Sequence, residues 1–488
     1  MYRSLQKNTE YIKNEFSNSA DLTIRDMNFP NREKTGFTVF TLEGMVSGGD
    51  VAAMVLNPIF NYTDRKDYSS LKGEALFRFV FDSVLSGSET KVEDSFDKAI
   101  EKLMAGFAVI FIDGAENAVS VGVQGFKARG VEEPNSEASQ RGSREGFIEP
   151  IKQNMGLLRR RIPSTDLVFE NMRVGVDVET PVCLCYRKSK VSQEILCMLR
   201  KRLQECSLKS LLASGYLVTY LEDGGSKSFF SGVGVTERPD TAAGKLSEGR
   251  IAIIVDGSPT VLIVPRLFIE NFQSFDDYTN RPYYAGFVRI LKYTAFLLSV
   301  FLPAVYVAVV SYYPQLIPRE LLGNVISSTE KTPFPTMVEV LLMYFIYEIT
   351  REAGLRIPKP LSQTIGIVGG LVIGESAVNA GIIGSPTLMV VAISAVCTFA
   401  VPDLSSPATM LRLVFILLAG VLGIWGIGLG VFVITLAVCS KTSFNIPYVS
   451  PIAPFSAKGM QDVFVRANWK TLSQRPAKVQ DLSEEKYE

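Results

Sequence analysis

The stretch YTAFLLSVFLPAVYVAVVSYY, residues Tyr293–Tyr313, decides the fold class, because it holds 21 residues without a charged side chain. As a helix it would be about 31 Å long at 1.5 Å per residue, which matches the hydrocarbon thickness of a bilayer. Pro303 lies within it, and a proline inside a helix predicts a kink. We therefore predict a membrane-spanning helix here.

Further apolar stretches follow and predict more spans. They are Leu361–Ile383, with Glu375 as its one charge, Ser385–Val401 with 17 uncharged residues, and Leu413–Ser440 with 28. The last is long enough to span a bilayer with tilt. A fifth segment, Phe334–Thr350, is apolar but contains two glutamates. We expect it to be interfacial or re-entrant.

Basic residues at both ends of this apolar region predict its orientation. Arginines and lysines are enriched before Tyr293 and after Ser440, which by the positive-inside rule places both termini in the cytosol. An even number of crossings follows, and we predict four. Arg351, Arg356 and Lys359 would then lie outside, so five crossings is the alternative count. The N-terminus has no apolar core of signal-peptide length, which also keeps the first 280 residues or so in the cytosol.

Composition argues against several classes of function. The 488 residues include 50 basic and 50 acidic side chains, so no positive excess indicates a nucleic-acid partner. Histidine is absent, which removes the usual general base and the usual zinc ligand. We predict no enzyme activity, no metal site and no cofactor. The six cysteines form no C-x-x-C pair and are expected to be reduced thiols, with Cys183 and Cys185 on one face of a strand.

The residues before the first span alternate between strand-like and helical patterns, which predicts two mixed α/β lobes. Phe107–Asp113 and Ala118–Val123 have the pattern of a hairpin, and Ile251–Asp256 and Thr260–Val264 that of a final strand pair. The predicted fold class is α/β N-terminal lobes followed by an α-helical transmembrane bundle of about four spans plus an interfacial or re-entrant helix. The predicted domains are lobe 1 at 1–130, lobe 2 at 131–285, the transmembrane helical domain at 286–440 and a cytosolic C-terminal tail at 441–488.

Two short motifs in the lobes have ordinary structural interpretations. Arg159–Arg161 is typical of a solvated face, with contact to anionic lipid headgroups as the alternative. Glu237–Asp240 reads as a turn followed by a helix start. No Walker-type sequence appears, and Gly232 and Gly234 do not complete a nucleotide fingerprint.

A glycine stripe makes Leu361–Ile383 the most informative of the apolar segments. Gly366, Gly370 and Gly374 recur every four residues, which gives two overlapping G-x-x-x-G steps on one face of a helix. Such a stripe allows another helix to approach closely in lipid. We predict that these glycines pack against a helix, either within one subunit or between copies.

The opposite face of the same predicted helix is more polar than a lipid-facing surface. A carboxylate within a span usually faces water or a partner, because exposure to hydrocarbon is costly. We therefore hypothesise that this face lines a pore; the alternative is that its carboxylate pairs with an arginine in the bundle. The candidate pore-lining residues are Thr364, Val368, Leu371, Glu375 and Asn379.

Several sequence blocks resemble the A subunit of the GerA family of nutrient germinant receptors from endospore-forming bacteria. They occur in the family's order between about residues 140 and 455, the REAGLR…IGIVGG block is the most specific, and residues 1–100 resemble the family only loosely. The blocks are RGSREGF (Arg141–Phe147), NMGLLRRRI (Asn154–Ile162), ERPD (Glu237–Asp240), EGRIAIIVDGSP (Glu248–Pro259), REAGLRIPKPLSQTIGIVGGLVIGESAVNAG (Arg351–Gly381) and TSFNIPYVSPIAPF (Thr442–Phe455).

The resemblance implies a protein of the inner spore membrane that has two α/β lobes before its membrane domain. Such subunits are expected to form a homo-oligomer, with a pentamer as the family expectation, that acts as a nutrient-gated cation channel and triggers germination. The implied partners are a transporter-like B subunit that senses the nutrient, a lipoprotein C subunit and membrane lipids. The family often carries Gln at the position of Glu375, which suggests that the carboxylate tunes selectivity.

Two alternatives stay open at this point. Stage V sporulation paralogues that accompany the dipicolinate channel share the ERPD and strand motifs, although REAGLR and IGIVGG favour the receptor branch. A non-conducting scaffold that only holds the B subunit is the other. Neither the nutrient nor the number of subunits follows from the sequence.

Overall fold

A computed structural model divides the chain into two sheet-containing lobes and a helical bundle. It describes residues 1–30, 35–62, 70–85, 89–125, 137, 141–223, 228–356, 374–457, 459–468, 470 and 481.

Lobe 1 is built on a five-stranded sheet in which every neighbouring pair is antiparallel, in the order β1-β2-β4-β5-β3. Its strands are β1 Leu22–Asn28, β2 Gly36–Leu42, β3 Thr90–Glu93, β4 Phe107–Ile112 and β5 Ala118–Gly122. Its helices are α1 Leu5–Glu15, α2 Gly48–Val51, α3 Asn57–Tyr62, α4 Glu74–Phe79 and α5 Phe96–Met104; π-helical turns extend α2 at Ala52–Leu56 and α4 at Val80–Val84.

Strand β4 is the centre of this lobe. All six of its residues are buried, because helices cover both faces of the sheet. Ile12 and Leu103 pack on one face, and Ile59 and Leu76 on the other. The predicted hairpin is confirmed, since β4 pairs with β5 in antiparallel register from Phe107↔Gly122 onward.

Lobe 2 repeats the same strand order, β6-β7-β9-β10-β8, again with antiparallel neighbours. The predicted pairing of the last two strands is confirmed, and the Sγ atoms of Cys183 and Cys185 lie 3.9 Å apart on one face of β7. The strands are β6 Leu167–Val174, β7 Thr180–Arg187, β8 Gly234–Thr236, β9 Ile251–Val255 and β10 Val261–Val264. The helices are α6 Ile151–Arg161, α7 Gln193–Gln204, α8 Gly215–Leu221 and α9 Pro239–Ser247.

The helical bundle follows a short 3-10 turn at Phe268–Phe272. Within the described residues, two segments are long and apolar enough by length and composition to cross a membrane, Pro282–Tyr312 and Pro402–Cys439. The helices are α10 Phe275–Thr279, α11 Pro282–Tyr312, α12 Arg319–Thr329, α13 Thr336–Arg356, α14 Gly374–Asn379, α15 Ser385–Phe399 and α16 Ser405–Cys439, with 3-10 turns at Pro314–Leu316 and Pro402–Leu404.

The single span predicted for Leu413–Ser440 is wrong, because α16 turns back on itself. Gly423 has φ +60° and ψ −141°, a conformation outside the helical region. A Cβ atom on Gly430 would meet the ring of Phe415, fifteen residues away, which a straight helix would place about 22 Å apart. Helix α16 is therefore a hairpin of two limbs, residues 405–422 and 424–439.

The interfacial or re-entrant position predicted for Phe334–Thr350 is also not what the structure shows. Helix α13 extends this segment to Arg356 and contributes buried Val340, Met343 and Tyr344 to the core of the bundle. The two glutamates that suggested an interface have polar partners inside the bundle, so they do not exclude the helix from it.

The helices run between a lobe side and a far side, named for their distance from the lobes. On the lobe side, Lys292 of α11 donates to the carbonyl of Phe272 at 3.3 Å. On the far side, the Tyr312 hydroxyl donates to the carbonyl of Gly420 at 2.6 Å, next to the hairpin turn. Met337, at the start of α13, packs against Gly420, and Arg351 near its end donates to Thr409. Helix α13 therefore returns from the far side to the lobe side.

The segment after α16 returns to lobe 2 rather than extending away from it. Strands β11 Thr442–Ser443 and β12 Ile446–Pro447 pair with each other. Phe444, Ile446 and Val463 join the hydrophobic core of lobe 2. Both ends of the bundle are therefore attached to the same side of the molecule.

Replacing Gly423 with Ala should destabilise the hairpin. A positive φ is strained for any residue with a Cβ atom, at about 1–3 kcal/mol, and this Cβ would lie 3.3–3.4 Å from the rings of Tyr312 and Tyr313. Thermal unfolding of the purified protein in detergent should show a lower Tm for Gly423→Ala. Gly428→Ala is the matched control, since its Cβ would meet no atom within 4 Å. Equal Tm values for the two variants would contradict the hairpin.

Candidate functional site in the helical bundle

Three of the five candidate pore-lining residues, Thr364, Val368 and Leu371, lie outside the described residues. Glu375 and Asn379 lie on α14, and both are exposed. Their place on a pore wall stays a prediction. Of the glycine stripe, Gly366 and Gly370 also lie outside the described residues.

Gly374 is described, and it packs within its own chain. It is buried, and a Cβ atom on it would lie 3.2 Å from the side chain of Leu388 on α15. At this glycine, close packing therefore joins two helices of one subunit.

The bundle is organised around a buried arginine, Arg412, on the first limb of α16. Its side chain is 1% exposed. Pro303 of α11 has no amide N–H, so the carbonyl of Ser299, four residues earlier, lacks its usual helical donor. Arg412 Nε donates to this carbonyl oxygen at 2.7 Å. The arginine thus satisfies a backbone group that the proline leaves open.

Arg412 also reaches the other two long helices of the bundle. Its Nη2 atom donates to the Thr398 hydroxyl near the end of α15 at 2.5 Å. Its guanidinium lies 4.7 Å from the ring centre of Tyr344 on α13, a cation–π contact. The Tyr344 hydroxyl in turn contacts Ser394 of α15. One side chain therefore joins α11, α13, α15 and α16 at a single level.

A buried carboxylate, Glu339 of α13, lies toward the far side. It is fully buried and forms no ion pair with any cation in the part of the chain that the structure describes. Its oxygens accept from the Gly384 N–H at 3.2 Å, the Thr387 hydroxyl at 3.0 Å and the Thr332 hydroxyl. Gly384 is the N-cap of α15, so Glu339 caps this helix from a neighbouring one.

Helix α15 is therefore held at both ends by buried charges of the appropriate sign. The N-terminus of a helix carries about half a positive charge and the C-terminus about half a negative charge. Glu339 lies at the N-terminus and Arg412 near the C-terminus. The arrangement offsets part of the desolvation cost of each buried ion and fixes the position of α15 along its axis.

A second group of buried charges joins the lobes to the bundle. Arg289 of α11 is fully buried and donates to carboxylate oxygens of Asp277 and Asp462, each at 2.8 Å. The segment after the bundle, α10 and the first long helix thus meet at one side chain.

Lobe 2 carries a related buried cluster next to this junction. Lys245 Nζ lies 2.7 Å from Glu270, and Arg250 also pairs with that carboxylate. Burial alone would raise the pKa of Glu270, but the positive charges of Arg250 and Lys245 outweigh it and lower the pKa to about 2. The cluster remains ionised throughout the physiological pH range.

The two lobes meet through a buried ion pair and a close backbone contact. Arg159 and Asp21 are both fully buried and form a bidentate pair at 2.8 and 2.9 Å. The solvated face predicted for Arg159–Arg161 is therefore wrong for its first residue. A Cβ atom on Gly156 would collide with the carbonyl of Gly44, so glycine is required where the lobes touch.

A cleft of about 550 Å³ opens beside this contact, between the two lobes. Its walls combine glycine backbone with side chains of both charge signs, and its size suits a small polar molecule that contacts both lobes. Residues that line it include Ser47, Gly48, Gly49, Asp50, Glu145, Gln153 and Arg160.

Comparison with known proteins identifies the family. The family model described as Bacillus/Clostridium GerA spore germination protein matches residues 10–478 of the chain. The chain belongs to the GerA spore germination family. This confirms the resemblance that was carried by the sequence blocks between residues 140 and 455.

Relatives of this GerA-family chain align with it along nearly its whole length. Spore germination protein KA of Bacillus subtilis (strain 168) is 36% identical over 98% of this chain and 87% of its own. The uncharacterized membrane protein YfkQ of the same organism is 36% identical over 97% of this chain and 91% of its own. A solved structure also matches, the crystal structure of the N-terminal domain of the A subunit of the Bacillus megaterium spore germinant receptor GerK3. Its sequence is 28% identical to the aligned part of this chain, the alignment covers 55% of this chain and 97% of that domain, and the TM-score is 0.44.

Sequence reasoning did not find the two charges that organise this GerA-family bundle. Arg412 directly precedes the uncharged stretch Leu413–Ser440, and Glu339 was used only as an argument for an interfacial helix. One general rule could have pointed to them: an ionisable residue inside an apolar membrane segment usually faces the interior of a bundle. Applied to all such residues, the rule would have selected both.

Replacing Glu339 with Gln should destabilise the bundle by about 1–3 kcal/mol. Both carboxylate oxygens now accept hydrogen bonds, whereas the NH₂ group of a glutamine can only donate and would face an N–H or O–H donor. Glu375→Gln is the matched control, since it removes the same charge from an exposed residue of the neighbouring α14. Thermal unfolding in detergent should give a lower Tm for Glu339→Gln only. If Glu375→Gln lowered Tm as much as Glu339→Gln, the capping role would be refuted.

Proposed function

We propose that this chain is the A subunit of a spore germinant receptor, and that its bundle crosses the inner spore membrane as part of a nutrient-gated cation channel. The observation that carries the proposal is membership of the GerA family combined with apolar helices attached to two polar lobes. The proposed assembly is a homo-oligomer that binds a transporter-like B subunit and a lipoprotein C subunit. The germination names of relatives such as protein KA support the receptor branch over the stage V branch.

Charge on the two sides of the bundle supports a cytosolic position for the lobes. The described far-side connections 313–335 and 374–384 hold two basic and three acidic residues. The lobe side is rich in basic residues, as the positive-inside rule requires of a cytosolic face. These lobe-side residues are Arg266, Arg281, Arg289, Lys292, Arg351, Arg356, Lys441 and Arg466.

The course of α13 removes the conflict that the four-span prediction contained. Arg351 and Arg356 were expected outside, yet α13 brings them to the lobe side, where Arg351 contacts Thr409. With the hairpin in α16, more than four segments run between the two sides. Both ends of the bundle remain attached to the lobes, which supports an even number of crossings.

Aromatic residues support a membrane setting for both ends of the long helices. Tyr283 and Tyr284 are exposed at the lobe end of α11. Trp425 is 80% exposed just beyond the hairpin turn, at the far end. Tyrosine and tryptophan are enriched at the two interfaces of a bilayer.

Cysteine accessibility tests the orientation. In a chain whose six native cysteines have been replaced, Asn324→Cys on α12 should react with a membrane-impermeant thiol reagent in intact cells, because α12 lies on the far side. Ser207→Cys in lobe 2 should react only after the cells are opened. Both side chains belong to exposed residues, so burial would not hide either. The reverse pattern would overturn the proposed orientation.

Ion flux through the chain in liposomes tests whether it conducts or only holds the B subunit. On the hypothesis that the face containing Val368 and Glu375 lines the pore, Val368→Ala should widen an apolar constriction and cause leak. Glu375→Gln should lower cation preference, and Glu375→Lys should block cations or invert the preference. Reversal potentials under a salt gradient measure this preference.

Glu330→Gln is the matched control for the pore test, since it neutralises another exposed far-side carboxylate. It should leave the reversal potential at the parental value. If the Val368 and Glu375 variants all conducted with parental selectivity, this face would not line the pore. Absence of flux from a correctly folded chain would favour the scaffold.

A further inference from the structure

Arg412 differs from three other arginines on the lobe side of the bundle, because it has no carboxylate partner among the described residues. Arg266, Arg351 and Arg356 each pair with a carboxylate, whereas no described carboxylate lies within ion-pair distance of Arg412. Residues 357–373 contain no Asp or Glu that could pair with it. The three pairs are Glu348 with Arg351, Glu352 with Arg356, and Asp403 with Arg266.

The groups that Arg412 contacts directly are all neutral. They are the Ser299 carbonyl, the Thr398 hydroxyl and the Tyr344 ring. The C-terminal end of α15 offsets only about half a charge. A buried ion without full compensation is costly, because the low-dielectric interior does not replace its hydration.

Unused hydrogen-bond donors occur on α13 and α16 near this charge. Arg412 Nη1, the Tyr347 hydroxyl and Arg351 Nε are buried, and none has a partner among the described residues. The Tyr347 ring centre lies 6.4 Å from that of Tyr344, which Arg412 contacts. Thr409, one turn before Arg412, contacts Arg351 and also donates to its paired carboxylate, Glu348, at 3.2 Å. Unused donors of α13 and α16 therefore occur in the same part of the bundle, and an electron-rich ligand placed among them would satisfy them together.

We propose that this group of donors binds a small inorganic anion of the halide class, which supplies the missing negative charge. Arg412 is 1% exposed, so neither a carboxylate of a second protein nor a bulky organic acid can approach it. A monovalent anion would balance the single charge of Arg412. The site uses no residue of the hypothetical pore face, and it would exist whether or not the chain conducts ions.

The test compares thermal unfolding of the full chain in detergent with potassium chloride and with potassium gluconate at equal ionic strength. A ligand that binds only the folded state raises Tm with its concentration. Tm should therefore rise with chloride and with bromide but not with gluconate. Equal Tm values in chloride and gluconate would overturn the proposal. A rise produced by anionic phosphatidylglycerol in gluconate, without a chloride effect, would assign the donors to a lipid headgroup and would also overturn it.

Variants locate the effect. Tyr347→Phe removes one donor without removing the ring, and it should shift the chloride concentration for half-maximal stabilisation upward at least threefold. Arg412→Gln should abolish the chloride effect. Arg356→Gln, an exposed lobe-side arginine of α13, is the control and should respond as the parent does. If Arg412→Gln does not fold, the comparison of Tyr347→Phe with Arg356→Gln still decides; equal chloride responses in that pair would place the anion elsewhere.

Discussion

The bond between Arg412 and the carbonyl of Ser299 is the interaction on which the bundle depends. Pro303 creates the need for it, because a proline removes the N–H that would otherwise satisfy the carbonyl four residues earlier. An arginine is suited to this place, since its planar fork can serve several acceptors at once. Here it serves Thr398 as well, and lies over Tyr344. A local defect in one helix therefore sets the level at which four helices meet.

Helix α15 occupies the centre of this arrangement because its two ends are recognised by opposite buried charges. Glu339 accepts from its N-terminal N–H, and Arg412 lies near its C-terminal end. In an apolar bundle, hydrophobic packing alone does not fix how far one helix slides along another, since lipid is as apolar as the side chains. The two charges supply that register. A change in either contact would shift α15 relative to both of its neighbours.

A different constraint fixes the positions of the lobes, because they pack closely against each other and are attached to the bundle. Arg159 and Asp21 pair in full burial between the lobes, and Gly156 permits the backbones to touch. Arg289 then ties the chain after the bundle to the start of α11 through Asp462. One buried ion pair thus joins the lobes to each other, and a separate one joins the lobe side of the bundle to the segment that follows it.

The sequence by itself determined the features that depend on local composition: the apolar segments, the β4–β5 and β9–β10 pairings, and the family. The tertiary structure decided what depends on distant partners. The turn at Gly423 lies among several similar glycines, and only packing against Tyr312 distinguishes it. Arg159 pairs with a residue 138 positions away, and Arg412 with a carbonyl 113 positions away. A local sequence pattern does not show which distant residue a side chain will contact. The burial of these charges could therefore not be predicted from such patterns.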